Sequence, residues 1–585
     1  MNISYANNDK VLVNKIAKHI SKIYTETLSP DQIDACYKKV ISLLDAIRKD
    51  KNEVVERWSE DTVVLITYAN TITSNKEKPL KILDKFLSDY CENIISIVHI
   101  LPFFPSSSDD GFAVIDYYTV DSNFGDWQHI KKISQKFSIM SDMVINHGSS
   151  KSQWFNNFIN QDGEGSEYFI SYDEPVDTSE VIRPRTNQLL QKFNTKNGVK
   201  HVWCTFSNDQ IDYNFANPEI LYEFIKIIIH HMNQGITVLR FDAIAFLWKK
   251  VGTKCINLDE THEIVRLFRT IMEYLSPKSI LVTETNTPAR ENVSYFGNAN
   301  EAQWIYNFSL PPVLLFSILK GDSSYLEKLT MSMPPSQLGT SYLNFIASHD
   351  GVGLRPAEDF LNKEEMDLLI ETMRDNGGKI SYRTDQEGKK SPYEINISLI
   401  NAIEKTVFGK DEYMIDRFIC IHTIMMSLEG VPAFYMHSLL GTGNDNELYK
   451  KTNHNRSLNR HTYQQESLYT QLSNKNSIGS KIYNSLSVLI ELRKKQKAFH
   501  PNAVQFTLHL GTDLYGIWRQ SLDKKQSIFC VTNITRNAKT FSLIDINLIG
   551  FDSWFDLISG DLITDLSSSI NLNPYQTVWI TNTRK

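Results

Sequence analysis

Apolar positions fall into two textures along the chain. Over the first 60 residues they recur at helical spacing among Lys, Asp and Glu, as at Ile33, Cys36, Val40, Leu43, Leu44 and Ile47, which predicts a helical N-terminal extension over 1–60. Short apolar runs then alternate with longer helical stretches: VVLIT (63–67), IISIVHI (94–100), FSIMSDMVI (137–145), ITVLRF (236–241), SILVTE (279–284), YLNFIAS (342–348) and VPAFYM (431–436). Strands that are apolar throughout and separated by helices predict a parallel sheet covered by helices. AQWIYNF (302–308) supplies an eighth strand, so the expected fold is α/β, a (β/α)8 TIM barrel built from 61–147, 216–350 and 416–499. The segments after the third and seventh strands are too long for simple connections, and 148–215 and 351–415 are expected to form inserted lid subdomains. From residue 500 the runs VQFTLHL, LYGIWR, SIFCVTNIT, KTFSLI and TVWITN follow closely with no helix between them. They predict an antiparallel C-terminal β domain over 500–585.

Composition narrows the function classes. The 585 residues are 41% hydrophobic and 22% charged, close to soluble globular averages. A formal net charge of −7 gives no basic footprint, which argues against a nucleic-acid partner. No apolar run approaches the roughly 18 residues of a membrane span, and MNISYANNDKVLVNKIAKHI lacks the continuous apolar core of a signal peptide, so the expectation is a cytoplasmic protein with no membrane partner. The six cysteines lie far apart without a CxxC pair, as free buried thiols do. There is no HExxH, Cys/His cluster, EF-hand loop or Gly-rich phosphate cradle, so neither a metal nor a cofactor is expected. Nothing in the sequence sets an oligomeric state.

A barrel carries its chemistry at the carboxyl ends of its strands. There the sequence places Asn146 and His147, then Arg240 and Asp242, then Glu284, then His349 and Asp350. The three acids Asp242, Glu284 and Asp350 would converge on one mouth. Breaking an acetal needs an acid for the leaving oxygen and a carboxylate below the anomeric carbon, and three acids suffice with one left to hold the sugar. Side chains alternate along a strand, so Arg240 shares the side of Asp242 and is expected to keep it ionised. An isolated Arg-x-Asp is commonly a plain ion pair; the ordered combination of four such motifs is the stronger signal. His99, at the end of an apolar run, reads as a core histidine.

DMVINH, VLRFDA, the glutamate of LVTET, and SHD resemble, in order, the four signature regions of the α-amylase-type glycoside hydrolase superfamily (family 13). Further stretches, VHILPFFPSSSDDGFAVIDYYTVDSNFGDW (98–127), VIRPRTNQLLQKF (181–193) and NELYKKTNHNRSLNRHTY (446–463) among them, resemble the sucrose phosphorylase group. The N-terminal extension, residues 243–270 and PAFYMHSLLGTGND (432–445) are most similar to its glucosylglycerate phosphorylase branch. The resemblance implies a retaining phosphorylase that cleaves an α-glucoside with inorganic phosphate, giving α-glucose 1-phosphate and D-glycerate. It implies Asp242 as nucleophile, Glu284 as general acid/base and Asp350 as transition-state stabiliser, with His147 and His349 on glucose hydroxyls. Asp110 would pair with an arginine of NRSLNRH, Arg460 in preference to Arg456. Arg185, assisted by Arg183, matches a phosphate-contacting arginine, and Tyr393 in SPYEIN (391–396) matches an aromatic on the family's second mobile loop. Asn286 and Glu394 stand where the sucrose enzymes have His and Gln, which puts sucrose in doubt. Arg383 and His437 are candidates for an acceptor carboxylate. Sucrose, sucrose 6-phosphate or glucosylglycerol phosphorolysis, hydrolysis, and non-catalytic carbohydrate binding are the competing readings.

Overall fold

Ser29, Pro30 and Gln32 start a helix by three means at once. The Ser29 hydroxyl accepts from the Gln32 amide, the Gln32 side chain accepts from the Ser29 amide at 2.9 Å, and Pro30 occupies the first turn. In the computed structural model, which describes residues 3–46, 56–384, 390–546, 548 and 553–583, this helix is α2 (Pro30–Asp45). It follows α1 (Ile3–Tyr24). Cys36, Val40 and Leu44 of α2 are buried, as are Ile16, Ile20 and Ile23 of α1; Ile47 lies outside the described residues. The pair packs on the barrel through α1 against α3 (Asp259–Leu275), where His19 Nδ1 meets Glu263 Oε1 at 2.7 Å.

Eight parallel strands form a closed barrel: β1 (Val64–Thr67), β2 (Ile97–Ile100), β3 (Ser138–Val144), β4 (Ile236–Asp242), β5 (Ile280–Thr283), β6 (Trp304–Tyr306), β7 (Ser341–Asn344) and β8 (Val431–Tyr435). Strand β8 closes on β1 with Val64 opposite Ala433. Every apolar run assigned to the barrel is one of these strands, and the fold class is the one the alternation predicts. The strands are buried almost throughout because helices cover one face and barrel side chains the other.

Between β3 and β4 the chain makes a helix (Gln153–Asn160) and a three-stranded antiparallel sheet whose central strand is Gly198–Trp203. It returns to the barrel by pairing Gln210–Asp212 with His147–Ser149. Between β7 and β8 lie the helix Lys363–Asp375 and a second three-stranded sheet, with Lys390–Asn396 between Val352–Gly353 and Lys379–Thr384. SPYEIN, read from the sequence as a loop, is therefore a strand. Pro392 concealed it, and is tolerated because it sits at a register shift where only one neighbour pairs. After residue 500 a six-stranded antiparallel sheet runs in the order Val504–Leu508, Leu514–Gln520, Ser527–Asn533, Thr577–Thr581, Trp554–Asp556, Leu562–Ile563. Among the described residues no helix is long and apolar enough to cross a membrane, and the six cysteines are buried and unpaired.

Candidate active site

The nucleophile candidate owes its position to strand register. Phe241 of β4 lies opposite Thr283 of β5, which sets Asp242 and Glu284 side by side at the two strand ends. Ala243 then turns into the left-handed region (φ 51°), costly for a residue with a Cβ, and its amide donates to Glu284 Oε2 at 3.0 Å. The turn therefore orients the acid next to it.

Beneath Asp242 runs a buried chain of charges. Arg240 Nη1 donates to Asp242 Oδ1 at 2.8 Å and also to Asp142 Oδ1, and the other Asp142 oxygen meets His99 Nε2 at 2.8 Å. Burial alone would raise Asp142, but Arg240 and His99 hold its carboxyl below the usual range. Asp242 differs: burial pushes its carboxyl well above that range, Arg240 opposes the rise, and Glu284, Asp142 and Asp350 add to it. The expectation that Arg240 keeps Asp242 ionised is thus only half met, because the guanidinium is shared with Asp142. His99 is buried, as a core histidine is, and its Nε2 also engages the oxygen of Asp142 that Arg240 leaves free.

Glu284 is raised, by burial first and then by Asp350, with Arg240 pulling the other way. Asp350 is the opposite case. Burial would lift it, yet Arg456, His349, Arg460 and Arg240 hold it well below the carboxylate range. Its Oδ1 lies 2.6 Å from Arg456 Nη1 and 3.9 Å from Arg460 Nη2, and its Oδ2 lies 3.4 Å from His349 Nε2. Asp242 and Glu284 are thus both biased towards the protonated form and Asp350 is fixed as an anion; of the raised pair, Asp242 is the one with a guanidinium donating to its carboxylate, which leaves Glu284 as the proton donor.

Of the two arginines in NRSLNRH, it is Arg460 that pairs with Asp110, and its Nε donates to the His349 carbonyl at 2.9 Å. Asp109 and Asp110 both have left-handed backbones. Gly111 completes the turn at φ 112°, where a Cβ would meet the Pro102 carbonyl at 2.7 Å. Arg456 instead binds Asp350 and grips Glu394 with Nε at 3.0 Å and Nη2 at 2.8 Å. The register that sets Glu394 opposite Gly353 brings it there. Glu394 is 2% exposed, and although burial would raise it, Arg456 keeps it below the usual range. Both its oxygens are engaged by one guanidinium.

One cavity brings together nine of the candidate residues: Asp242, Glu284, Asp350, His147, His349, Asn286, Arg185, Tyr393 and Arg383. Arg240 lies directly below it, Asp110 and Arg460 flank it, and Glu394 faces an outer cavity. His437 does not line it. Its Nε2 meets the His461 carbonyl at 2.6 Å, its ring stacks on Tyr435, and burial pushes it down to about 4, so it is no cation for an acceptor. Arg185 lies between the rings of Phe206 and Tyr393, at 5.8 and 5.5 Å. Arg383 is partly engaged by Ser391 Oγ at 3.2 Å and Glu358 at 3.5 Å.

Several residues of the site escaped sequence reasoning. Gln210 Nε2 donates to the Phe112 carbonyl and lies 3.1 Å from His147 Nε2, which is itself 2.9 Å from that carbonyl. Phe112 stacks on His349 with ring centres 5.2 Å apart. Lys249, almost wholly buried, reaches both Asp212 Oδ2 and Asn146 Oδ1 at 2.6 Å and so fixes the floor beside His147. Arg355 and Phe246 also line the cavity, beside Arg183 and Arg456, which the sequence had offered. For Asp142 the signal was present, two residues before Val144 in DMVINH on an inward-facing position; for the others only the fold reveals the contact.

The alpha-amylase catalytic-domain family matches residues 84–353. Glucosylglycerate phosphorylase of Spirochaeta thermophila is 38% identical over 526 residues, 88% of this chain and 89% of that protein. Glucosylglycerate phosphorylase of Escherichia coli is 36% identical over 570 residues, 97% and 99% of the two chains. The crystal structure of sucrose 6F-phosphate phosphorylase from Thermoanaerobacter thermosaccharolyticum shares the fold, with a TM-score of 0.72 at 23% identity over 88% of this chain and 98% of that one. An eight-stranded barrel with three acids at its strand ends, matched nearly end to end by such relatives, places this chain in the α-amylase family and, within it, in the glucosylglycerate phosphorylase family.

Proposed function

We propose that the protein is a retaining glycoside phosphorylase that cleaves 2-O-α-glucosylglycerate with inorganic phosphate. The observation that carries this is the composition of the cavity: three acids at its base, two raised and one held as an anion, and Arg183, Arg185, Arg355 and Arg383 in its outer wall. A hydrolase handling a neutral glucoside has no need of four guanidinium groups beside its acids; an incoming phosphate does.

In the first step Asp242 attacks the anomeric carbon as the glycosidic bond breaks, and Glu284 gives its proton to the leaving glycerate oxygen. Asp350, fixed as an anion by Arg456, stabilises the oxocarbenium-like state, while His147, His349, Asp110 and Arg460 hold the glucose hydroxyls. In the second step a phosphate oxygen attacks the β-glucosyl ester, its proton passes to Glu284, and Asp242 leaves as carboxylate. Two inversions yield α-glucose 1-phosphate. The raised Glu284 suits the acid role; kcat/KM is expected to fall as pH rises through its ionisation, above the roughly 4.3 of an ordinary glutamate. Six buried, unpaired cysteines accord with a cytoplasmic setting.

The test is reverse phosphorolysis: α-glucose 1-phosphate is supplied with D-glycerate, fructose, fructose 6-phosphate or glycerol in turn, and phosphate release is followed. Release favouring D-glycerate is expected, and release with another acceptor moves the specificity while keeping the chemistry. Asp242→Asn should lose turnover by several orders of magnitude with its melting temperature preserved. Glu284→Gln should regain the first step with a donor such as α-glucosyl fluoride, whose leaving group needs no proton. Appreciable phosphorolysis by Asp242→Asn would remove that residue from the nucleophile role.

A further inference from the structure

The outer half of the cavity holds more positive charge than the anomeric centre uses. Among the described residues, the one carboxylate within salt-bridge reach of Arg183, Arg185, Arg355 or Arg383 is Glu358, 3.5 Å from Arg383. Arg456, in the same cavity, is by contrast neutralised twice over. Guanidinium groups drawn out of water without a counter-charge are costly, so their retention in a cavity points to anions that visit it. On the phosphorylase reading, on which this inference rests, two anions do so in turn: the phosphate and the carboxylate of the leaving group.

The four arginines stand on two walls. Arg183 and Arg185 come from the insertion between β3 and β4, with Arg185 held between two aromatic rings. Arg355 and Arg383 come from the insertion between β7 and β8. Arg355 opens a single 3₁₀ turn (Arg355–Ala357) directly after the short strand Val352–Gly353. Gly353 lies so close to Asn286 that a Cβ would come within 2.7 Å of its Oδ1, which fixes this segment against the loop that carries Glu284. The leaving oxygen takes its proton from Glu284, so the leaving group lies on this wall. Arg383 is partly engaged by Ser391 and Glu358. Arg355 is half-buried, lines the cavity and has no side-chain partner among the described residues.

We propose that Arg355 binds the carboxylate of the leaving glycerate and thereby selects an anionic acceptor over a neutral one. A guanidinium suits this task because it meets both oxygens of a carboxylate at once.

The experiment compares wild type, Arg355→Gln and Arg355→Lys in reverse phosphorolysis, with separate KM values for D-glycerate and for α-glucose 1-phosphate. Loss of a charged hydrogen-bond donor should raise the KM for D-glycerate in Arg355→Gln by about tenfold to a hundredfold, with a much smaller change for α-glucose 1-phosphate. Arg355→Lys should recover part of the loss, since it keeps the charge without the fork. A D-glycerate KM that stays unchanged overturns the proposal, as does an equal rise for both substrates, which would assign Arg355 to the phosphate. If Arg355→Gln melts at a lower temperature, Arg355→Lys decides, because a purely structural defect would not alter the ratio of the two KM values. A wild type that releases phosphate with fructose or glycerol but not D-glycerate overturns this proposal and leaves the phosphorolytic reading standing, whereas release with no acceptor fails that reading itself.

Discussion

Arg456 divides one guanidinium between two carboxylates, Asp350 through Nη1 and Glu394 through Nε and Nη2. The second carboxylate matters for the first: one cation shared by two anions leaves the group with a net negative charge, where a pair with Asp350 alone would be neutral. Arg456→Met leaves the buried Glu394 without its partner and takes the nearest cation from the half-buried Asp350, and should cost about 3–5 kcal/mol in a denaturant melt. Glu394→Gln keeps an acceptor of the same shape and should cost much less. A double-mutant cycle between the two positions checks this, and additive losses would contradict the coupling. The sequence offered both arginines of NRSLNRH for Asp110 because four residues of separation says nothing about where an irregular turn points. Glu394 was illegible for a related reason, since its partner lies 62 positions away and only the Gly353–Glu394 register brings the two together.

At the scale of elements, α1 supports the segment that follows the nucleophile. The Tyr24 hydroxyl donates to the Phe215 carbonyl at 3.1 Å, and its ring lies 6.1 Å from that of Trp248. Trp248 precedes Lys249, whose ammonium fixes Asp212 and Asn146 beside His147. Tyr24→Ala should destabilise the protein by about 3–5 kcal/mol and loosen hydrogen-exchange protection over residues 243–257, whereas Tyr24→Phe should cost only about 1 kcal/mol for the lost hydrogen bond. Unchanged protection in Tyr24→Ala would show that the helix merely sits on the barrel. The eight barrel strands were legible because burial on both faces writes them as unbroken apolar runs. The strands of the insertions were not: one face meets solvent, and Lys390–Asn396 carries a proline.

For the whole molecule, four fully buried histidines set the response to acid. Burial pushes His231, His422 and His437 down to about 4 and His349 to about 3, so each is neutral in the fold yet takes a proton near pH 6.5 once unfolded. The unfolded state then binds more protons, and stability must rise with pH. The contribution is complete above about pH 6.5 and is lost as pH falls towards about 4, with the depressed Asp350 adding a further loss below that. The raised carboxyls of Asp242 and Glu284 act in the opposite sense and reduce the slope. The melting temperature should decline from about pH 6.5 downward, with net proton uptake on unfolding near pH 5; a flat profile would contradict neutral histidines in the core. The closure of the barrel has a consequence for biosynthesis. Strand β8 begins at Val431 and completes a ring opened at Val64, and Arg460 must find Asp110 across 350 residues. A ribosome adding about 5–20 residues per second needs roughly 20–70 seconds between β1 and β8. Through that interval β1 keeps an unpaired edge, joined by that of β7 once residue 344 is made, and both are open to chaperones or to a neighbouring nascent chain, so translation speed and chaperone supply should govern the yield of this enzyme more than the strength of any single contact in its finished core.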